Sequence, residues 1–394
     1  RAPGTRTYRD AGPPRAPDAA AAPAGDHLTP APAPVGSLSA RGPRRRALLF
    51  GIMYYNSSEY LSRLYGCIND CARQVKLLTE TYAFQREEIR LVIDSPEPGG
   101  SRRGFCGLGA PVRASWKHLP LELQGLAVSE PSLAESREAL AWLLEGAQAG
   151  DTLFLHYSGH GTQVPDTNGD EDDGFDEALC TTDMDWSANR GVVDDELRAL
   201  VFERVPAGVE LVAFFDCCHS GTMSDLNPVK VAVAGDRPGE LPKHESRFFE
   251  TRAAPAPGFA TEEITRLARA RQAAKLLKGG GGGEPPKRRA AALDAVRAAD
   301  NAVVVISACT DGQVSADDLF DGARGGAATW AFHHLLAQQR GERHPPVAEL
   351  VRGMQRALWA DGFEQLPKLS VSLSPKLDTR EEVMQYRLFA SLQP

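Results

Sequence analysis

Apolar residues in this chain gather into short runs separated by stretches of helical spacing. The first run is Ala47–Met53 (ALLFGIM). A run of roughly four to eight apolar residues fits a strand buried on both faces. Similar runs follow at Glu88–Ile93, Thr152–Tyr157 (TLFLHY), Val209–Phe215 (VELVAFF), Ala302–Ala308 (AVVVISA) and Val383–Phe389. Between them, Ala72, Val75, Leu78 and Tyr82 recur at three- and four-residue spacing and predict a helix over 69–84. A second helix is predicted over Ser132–Ala149, opened by Ser132-x-x-Glu135 as a capping box. Others are predicted near 195–203, 325–339 and 346–359. Strands that alternate with helices, and that are apolar throughout, predict an α/β fold. It has a mostly parallel six-stranded central sheet flanked by helices on both faces.

The pattern fades in three places. Residues 1–44 are rich in Ala, Pro, Gly and Arg, lack large apolar side chains, and read as a disordered tail. An Arg-rich start also suits an organellar transit peptide, but Asp10, Asp18 and Asp26 and the missing amphipathic pattern weigh against one. Residues 95–131 read as a long loop or insertion. Residues 230–300 carry Gly279–Gly283 and Lys287-Arg288-Arg289 and read as a flexible, protease-accessible linker. The expected organisation is a tail (1–44), a large segment (45–229), a linker (230–300) and a small segment (301–394), the two segments forming one α/β unit.

Composition narrows the classes. Among 394 residues, 44 Lys plus Arg face 52 Asp plus Glu, a net charge of −8, which argues against nucleic acid as a partner. No apolar run approaches the roughly 18 residues of a membrane span. Seven cysteines without Cys-x-x-Cys pairs argue against a disulfide or zinc framework and favour a reducing, cytoplasmic setting.

Two of the strands run straight into reactive residues. Thr152–Tyr157 leads into His156–Gln163 (HYSGHGTQ), and Val209–Phe215 into Asp216–Gly221 (DCCHSG). In open parallel sheets, sites lie beyond the carboxyl ends of strands. Neighbouring strands would therefore set an imidazole beside a thiol, as nucleophilic thiol catalysis requires. His160 precedes Cys218 by 58 residues, near the roughly 50 of caspase-type peptidases. HYSGHG followed by DCCHSG resembles the metacaspase family of caspase-like cysteine peptidases, over roughly 45–230 and 300–394. Ser307–Gln313 (SACTDGQ), with Ala316-Asp317, resembles the start of that family's small segment.

The resemblance implies His160 as the catalytic imidazole, Cys218 as the nucleophile, and the Gly161 and Cys218 amides as the oxyanion hole. Adjacent side chains leaving a strand diverge, so only one of Cys217 and Cys218 can face His160. Cys67, Cys71, Cys106, Cys180 and Cys309 read as buried thiols, and His156 and His219 as structural. Asp216 stands where the caspase signature has Gln, and an acid there favours Arg or Lys at P1. Asp70 and Ser158 match further P1-pocket positions of the family, although Asp70 also suits a helix N-terminus.

A second cluster is acidic: Asn168–Glu177 (NGDEDDGFDE) and Asp194-Asp195-Glu196. It departs from the EF-hand pattern, because Glu171 stands where Gly is required. The resemblance implies a Ca²⁺ cofactor held by Asp176, Asp194, Asp195 and Asp225, with Asp170, Asp172 and Asp173 left as solvated surface. It also implies self-cleavage in the linker, with Lys230, Lys243, Arg247 and Arg252 as candidates.

The expected activity is a Ca²⁺-dependent cysteine endopeptidase acting as a monomer on proteins or peptides with basic P1 residues, without nucleic acid or membrane. The Pro-rich tail favours the family's first type over its second. The alternative is a catalytically weak scaffold or Ca²⁺-responsive interaction protein, against which the intact His160 and Cys218 weigh. A thiol phosphatase would need Arg where Ser224 stands, and adjacent Cys217-Cys218 is not a redox Cys-x-x-Cys.

Overall fold

The computed structural model describes residues 41–55, 57, 61–94, 112–113, 119–167, 174–220, 228–229, 250–254, 302–310, 313–338, 344–373 and 384–389. Residues 1–42 and 43–394 separate as two compact units, and every element below belongs to the second.

In chain order the strands are β1 (Arg45–Gly51), β2 (Ile89–Ile93), β3 (Val112–Arg113), β4 (Ala127–Ser129), β5 (Thr152–Ser158), β6 (Gly161–Pro165), β7 (Phe175–Leu179), β8 (Val192–Val193), β9 (Glu210–Asp216), β10 (Pro228–Val229), β11 (Glu250–Thr251), β12 (Ala302–Ser307), β13 (Ala316–Phe320), β14 (Ala323–Gly326) and β15 (Lys368–Leu373). The helices are α1 (Cys67–Glu80), α2 (Leu133–Leu144), α3 (Asp194–Leu200), α4 (Ala327–Gln338) and α5 (Val347–Ala360).

The main sheet runs β10-β15-β12-β9-β5-β1-β2-β4-β3. Its centre is six long strands, five of them the expected ones, parallel from β12 to β2 and antiparallel at β15. Short strands at the two edges bring the count to nine rather than six. β5 and β9 are buried at every position. Each Leu, Val or Phe buried there contributes about 1.5–3 kcal/mol, so the apolar runs select the centre of the sheet.

Register aligns the strand ends that matter. Ser158 of β5 pairs with Asp216 of β9, and Phe215 with Ser307 of β12. The segments carrying His160, Cys218 and Cys309 therefore leave the sheet side by side. Gly66 precedes α1 as its N-cap, and a Cβ there would lie 2.5 Å from the Gly325 Cα. That glycine lets the first turn of α1 approach the end of β14.

Two expectations change. The last long strand is Lys368–Leu373; of the expected strand 383–389, the described Met384–Phe389 are helical at 384–385 and end in a turn. β15 alternates polar and apolar residues (KLSVSL), a weaker signal than a continuous run. α2 ends at Leu144 rather than 149, because the chain turns at Gly146 with φ 62°. Its cap is half a capping box. Ser132 Oγ accepts from the Glu135 N–H, while the Glu135 carboxylate accepts from the Glu130 N–H.

Two small sheets lie beyond the main one, β6-β7-β8 and β11-β13-β14. β11 belongs to the segment read as a linker. Glu250–Ala254 are described, and Glu250 and Thr251 pair antiparallel with Asp317 and Ala316 of β13. Among the described residues, no helix is long and apolar enough to cross a membrane.

Candidate active site

After Asp216 the chain leaves β9 through a tight turn. Cys217 packs into the hydrophobic core. His219 adopts φ 54°, a conformation unusual for a residue with a side chain, and Ser220 Oγ donates to the Cys217 carbonyl at 3.0 Å. Cys218 Sγ, on the other side of the chain from Cys217, accepts from the Ser315 N–H at 2.9 Å. The two adjacent thiols thus diverge as strand geometry requires.

His160 is held at three points. Its N–H donates to Tyr54 Oη at 2.9 Å, its ring lies 4.6 Å from the Tyr54 ring centroid, and its Nε2 lies 2.7 Å from the Ser62 carbonyl. A carbonyl only accepts, so Nε2 carries the proton and Nδ1 keeps a lone pair. Nδ1 is buried without a hydrogen-bond partner. Burial pushes the His160 pKa down to about 4. Burial likewise pushes the Cys218 thiol up, with Cys309 adding to it and the Ser315 N–H opposing it. With Arg252 seated, thiol and imidazole are therefore both neutral near pH 7.

A buried guanidinium fills the pocket beside them. Arg252 is fully buried, and so are Asp70, Asp216 and Asp317 around it. Its Nη2 lies 2.7 Å from Asp70 Oδ2 and 3.6 Å from Asp317 Oδ2; its Nη1 lies 3.4 Å from Asp216 Oδ1. Nη1 also donates to Ser158 Oγ at 2.8 Å and to the Asp216 carbonyl at 2.9 Å. Ser158 in turn donates to Asp70 Oδ2 at 2.8 Å.

Each carboxylate is fixed from behind. Asp216 accepts from Ser315 Oγ and from the Thr329 N–H and hydroxyl, all at 2.7 Å, the last two in the first turn of α4. Asp317 accepts from the Gly66 N–H, and Asp70 from the Gly326 N–H. Burial pushes the Asp70 pKa up to about 6 against the pull of Arg252.

The backbone of Arg252 is held as well. Its N–H donates to the Ser315 carbonyl, and its own carbonyl accepts from the Gly161 N–H, both at 2.9 Å. A Cβ at Gly161 would lie 2.0 Å from the Cys218 carbonyl oxygen, so only glycine brings that N–H here.

The structure thus brings together His160, Gly161, Cys218, Asp70, Ser158, Asp216 and Arg252. Lys230, Lys243, Arg247, Cys106 and Asp225 lie outside the described residues. Sequence reasoning missed three contributors. Asp317 on β13 supplies a carboxylate to Arg252, and Ser315 just before β13 supplies a hydroxyl to Asp216. Ser62 acts on His160 through a backbone carbonyl, which leaves no mark in the sequence.

Of the acidic corner expected to hold a cation, residues 168–173 and Asp225 lie outside the described residues. Asp176 lies 3.8 Å from Arg190 Nη1, and Asp195 pairs with Arg198 within α3. Asp194 accepts from the Glu177 and Asp195 N–H groups. Among the described residues, no group of three His, Cys, Asp or Glu side chains could hold a metal ion. The oxygen donors suit Ca²⁺ chemically, and in the described arrangement arginines and backbone amides engage them. Acids in the first turn of a helix are also stabilised by its dipole, which accounts for Asp194 and Asp195 at the start of α3.

Comparison with known proteins bears on the whole arrangement. Residues 122–227, which carry Ser158, His160, Asp216 and Cys218, match the model of the metacaspase, peptidase C14 domain. Metacaspase-1B of Aspergillus fumigatus is 31% identical over 332 residues, covering 84% of this chain and 70% of that protein. Metacaspase-1 of Kluyveromyces lactis is 30% identical over 331 residues, covering 84% and 66%. The chain thus spans about two thirds of the length of these relatives. A crystal structure of a Geobacter sulfurreducens protein shares the fold at a TM-score of 0.50 and 21% identity, covering 89% of this chain and all of that one. With a Cys and a His on adjacent strand ends of a mostly parallel sheet and these relatives, the chain belongs to the metacaspases, caspase-like cysteine peptidases.

Proposed function

We propose that this chain is an endopeptidase that cuts after Arg or Lys, and that the bond between Arg252 and Ala253 is one of its own substrates. One observation carries the reading. Arg252 fills a three-carboxylate pocket while its carbonyl oxygen rests on the Gly161 N–H beside Cys218.

The chemistry follows from those positions. Cys218 Sγ attacks the P1 carbonyl carbon as His160 Nδ1 takes the thiol proton. The Gly161 N–H holds the oxyanion, and the Cys218 N–H is assigned as its second donor. The tetrahedral species collapses as His160 protonates the departing nitrogen, leaving a thioester on Cys218. Water, deprotonated by the same nitrogen, then hydrolyses the thioester to a P1 carboxylate and the free thiol. Three carboxylates in one pocket repel an acidic P1 side chain. They favour Arg over Lys, because a planar guanidinium reaches several acceptors at once while an ammonium does so less well.

The test is the fate of the linker. The parent protein should yield a new N-terminus at Ala253, and Cys218→Ala should not. Cleavage that persists unchanged in Cys218→Ala contradicts the reading. An intact linker, with no turnover of Arg-terminated peptides, supports the scaffold alternative.

Calcium is proposed as an activator on the strength of the acidic corner's composition alone, and no step above is routed through a metal. Activity that rises with added Ca²⁺ and falls with chelator supports the proposal; activity indifferent to both removes it.

A further inference from the structure

β6 pairs with β7 along one side only, and Arg252–Ala254 lie along its other side. Gly161 and Ala253 form a parallel bridge: the Gly161 N–H donates to the Arg252 carbonyl at 2.9 Å, and the Ala254 N–H donates to the Gly161 carbonyl at 3.2 Å. One residue further, Thr162 Oγ1 donates to the Ala254 carbonyl at 2.6 Å. Thr162 and Ala254 are each only 3% exposed. A hydrogen bond so shielded from water costs most when one partner is deleted, because the other is left buried and unpaired.

If Arg252 is P1, Ala253 and Ala254 are P1′ and P2′, the first residues of the leaving group. We propose that Thr162 is a substrate-binding residue for the primed side. A protein substrate lays its first two primed residues against the open edge of β6 as a short parallel strand. The P2′ N–H rests on the Gly161 carbonyl, and the P2′ carbonyl takes the Thr162 hydroxyl. This deepens the cleavage reading and rests on it. Both contacts are to the main chain, as when a peptide adds to a sheet edge, so they recognise polypeptide length rather than primed side chains. The exception is proline at P2′, which has no N–H to donate.

The anchor also bears on the reaction itself. It fixes the scissile nitrogen from the leaving side, while Asp70, Asp216 and Asp317 fix the P1 side. The bond is then held from both ends as Cys218 attacks, the kind of positioning that turns binding into rate. A substrate that ends in an aminocoumarin at P1′ forgoes this hold entirely.

Two substrates with the same residues up to a P1 Arg separate the possibilities. One ends in the aminocoumarin; the other is a quenched peptide continuing through Ala-Ala to P3′. With the full-length protein, Thr162→Val should lower kcat/KM for the extended peptide about tenfold more than for the coumarin. Thr162→Ser should restore the ratio. In the parent, N-methylation of the P2′ amide should lower the extended peptide's kcat/KM as well. Equal losses on both substrates, or an unchanged ratio in Thr162→Val, would overturn the primed-side anchor while leaving Arg-directed cleavage standing. A parent that turns over neither substrate would overturn the cleavage reading and the anchor with it.

Discussion

Asp70 sits in the first turn of α1, a place where an acid needs no explanation beyond the helix dipole. Its surroundings give it a second task, because it accepts from Arg252, Ser158, Arg73 and the Gly326 N–H together. Asp70→Asn should therefore lower kcat/KM for Arg-P1 peptides by about a hundredfold, the scale of breaking a buried pair. Alkylation of Cys218 should continue, showing that the nucleophile is intact. The pH dependence follows with a definite sign. Binding of a cation needs the ionised carboxylate, and the Asp70 pKa stands at about 6 rather than in the usual carboxylate range. That value holds with Arg252 seated, and the emptied pocket lacks its lowering pull, so KM for Arg-P1 peptides should already rise as pH falls toward 6, and Asp70→Asn should lack that rise. At this scale the sequence was most legible where chemistry and motif coincide. His160, Cys218, Ser158 and Asp216 lie on two strand ends whose adjacency the apolar runs predict. Asp317 was not recognised as a pocket acid, because nothing local separates it from Asp318, and only the alternation of β13 selects which one points inward.

Five of the six long strands are legible in their apolar runs, because burial on both faces demands them; β15 alternates and is not. β6, β13 and β14 (GTQVP, ADDLF and ARGG) carry too many polar residues and glycines to announce a strand, and tertiary pairing holds them. Those polar strands build the pocket. β14 ends in Gly325-Gly326, and a Cβ at Gly326 would lie 2.3 Å from Asp216 Oδ2 and 2.5 Å from Arg252 Nη1. Gly326→Ala should thus fill the space a guanidinium needs. We expect a folded protein by circular dichroism with at least a tenfold higher KM for Arg-P1 peptides, a loss set by geometry rather than charge.

Across the whole molecule, the segment that reads as linker by composition supplies the best-buried cation among the described residues, Arg252, 34 residues beyond Cys218. Glycine, proline and basic residues make the segment read as a linker, and composition carries no sign that Arg252 is buried. Arg252 balances three buried carboxylates, and removing it leaves them short of a counter-charge. Arg252→Ala should lower the thermal midpoint, and millimolar agmatine, a free guanidinium, should raise it again by binding the folded state only. Covalent connection over this many residues gives Arg252 an effective concentration on the order of millimolar. Cleavage after Arg252 should therefore be first order, with a half-time unchanged on hundredfold dilution of the protein.

The central claim is Cys218-dependent cleavage after a basic residue. Its most direct test is hydrolysis of two aminocoumarin tetrapeptides that differ only in Arg or Asp at P1, by the parent and by Cys218→Ala, with and without Ca²⁺. The account predicts turnover of the Arg peptide alone, by the parent alone. Turnover of the Asp peptide at a comparable rate, or Arg turnover that survives Cys218→Ala, would contradict it.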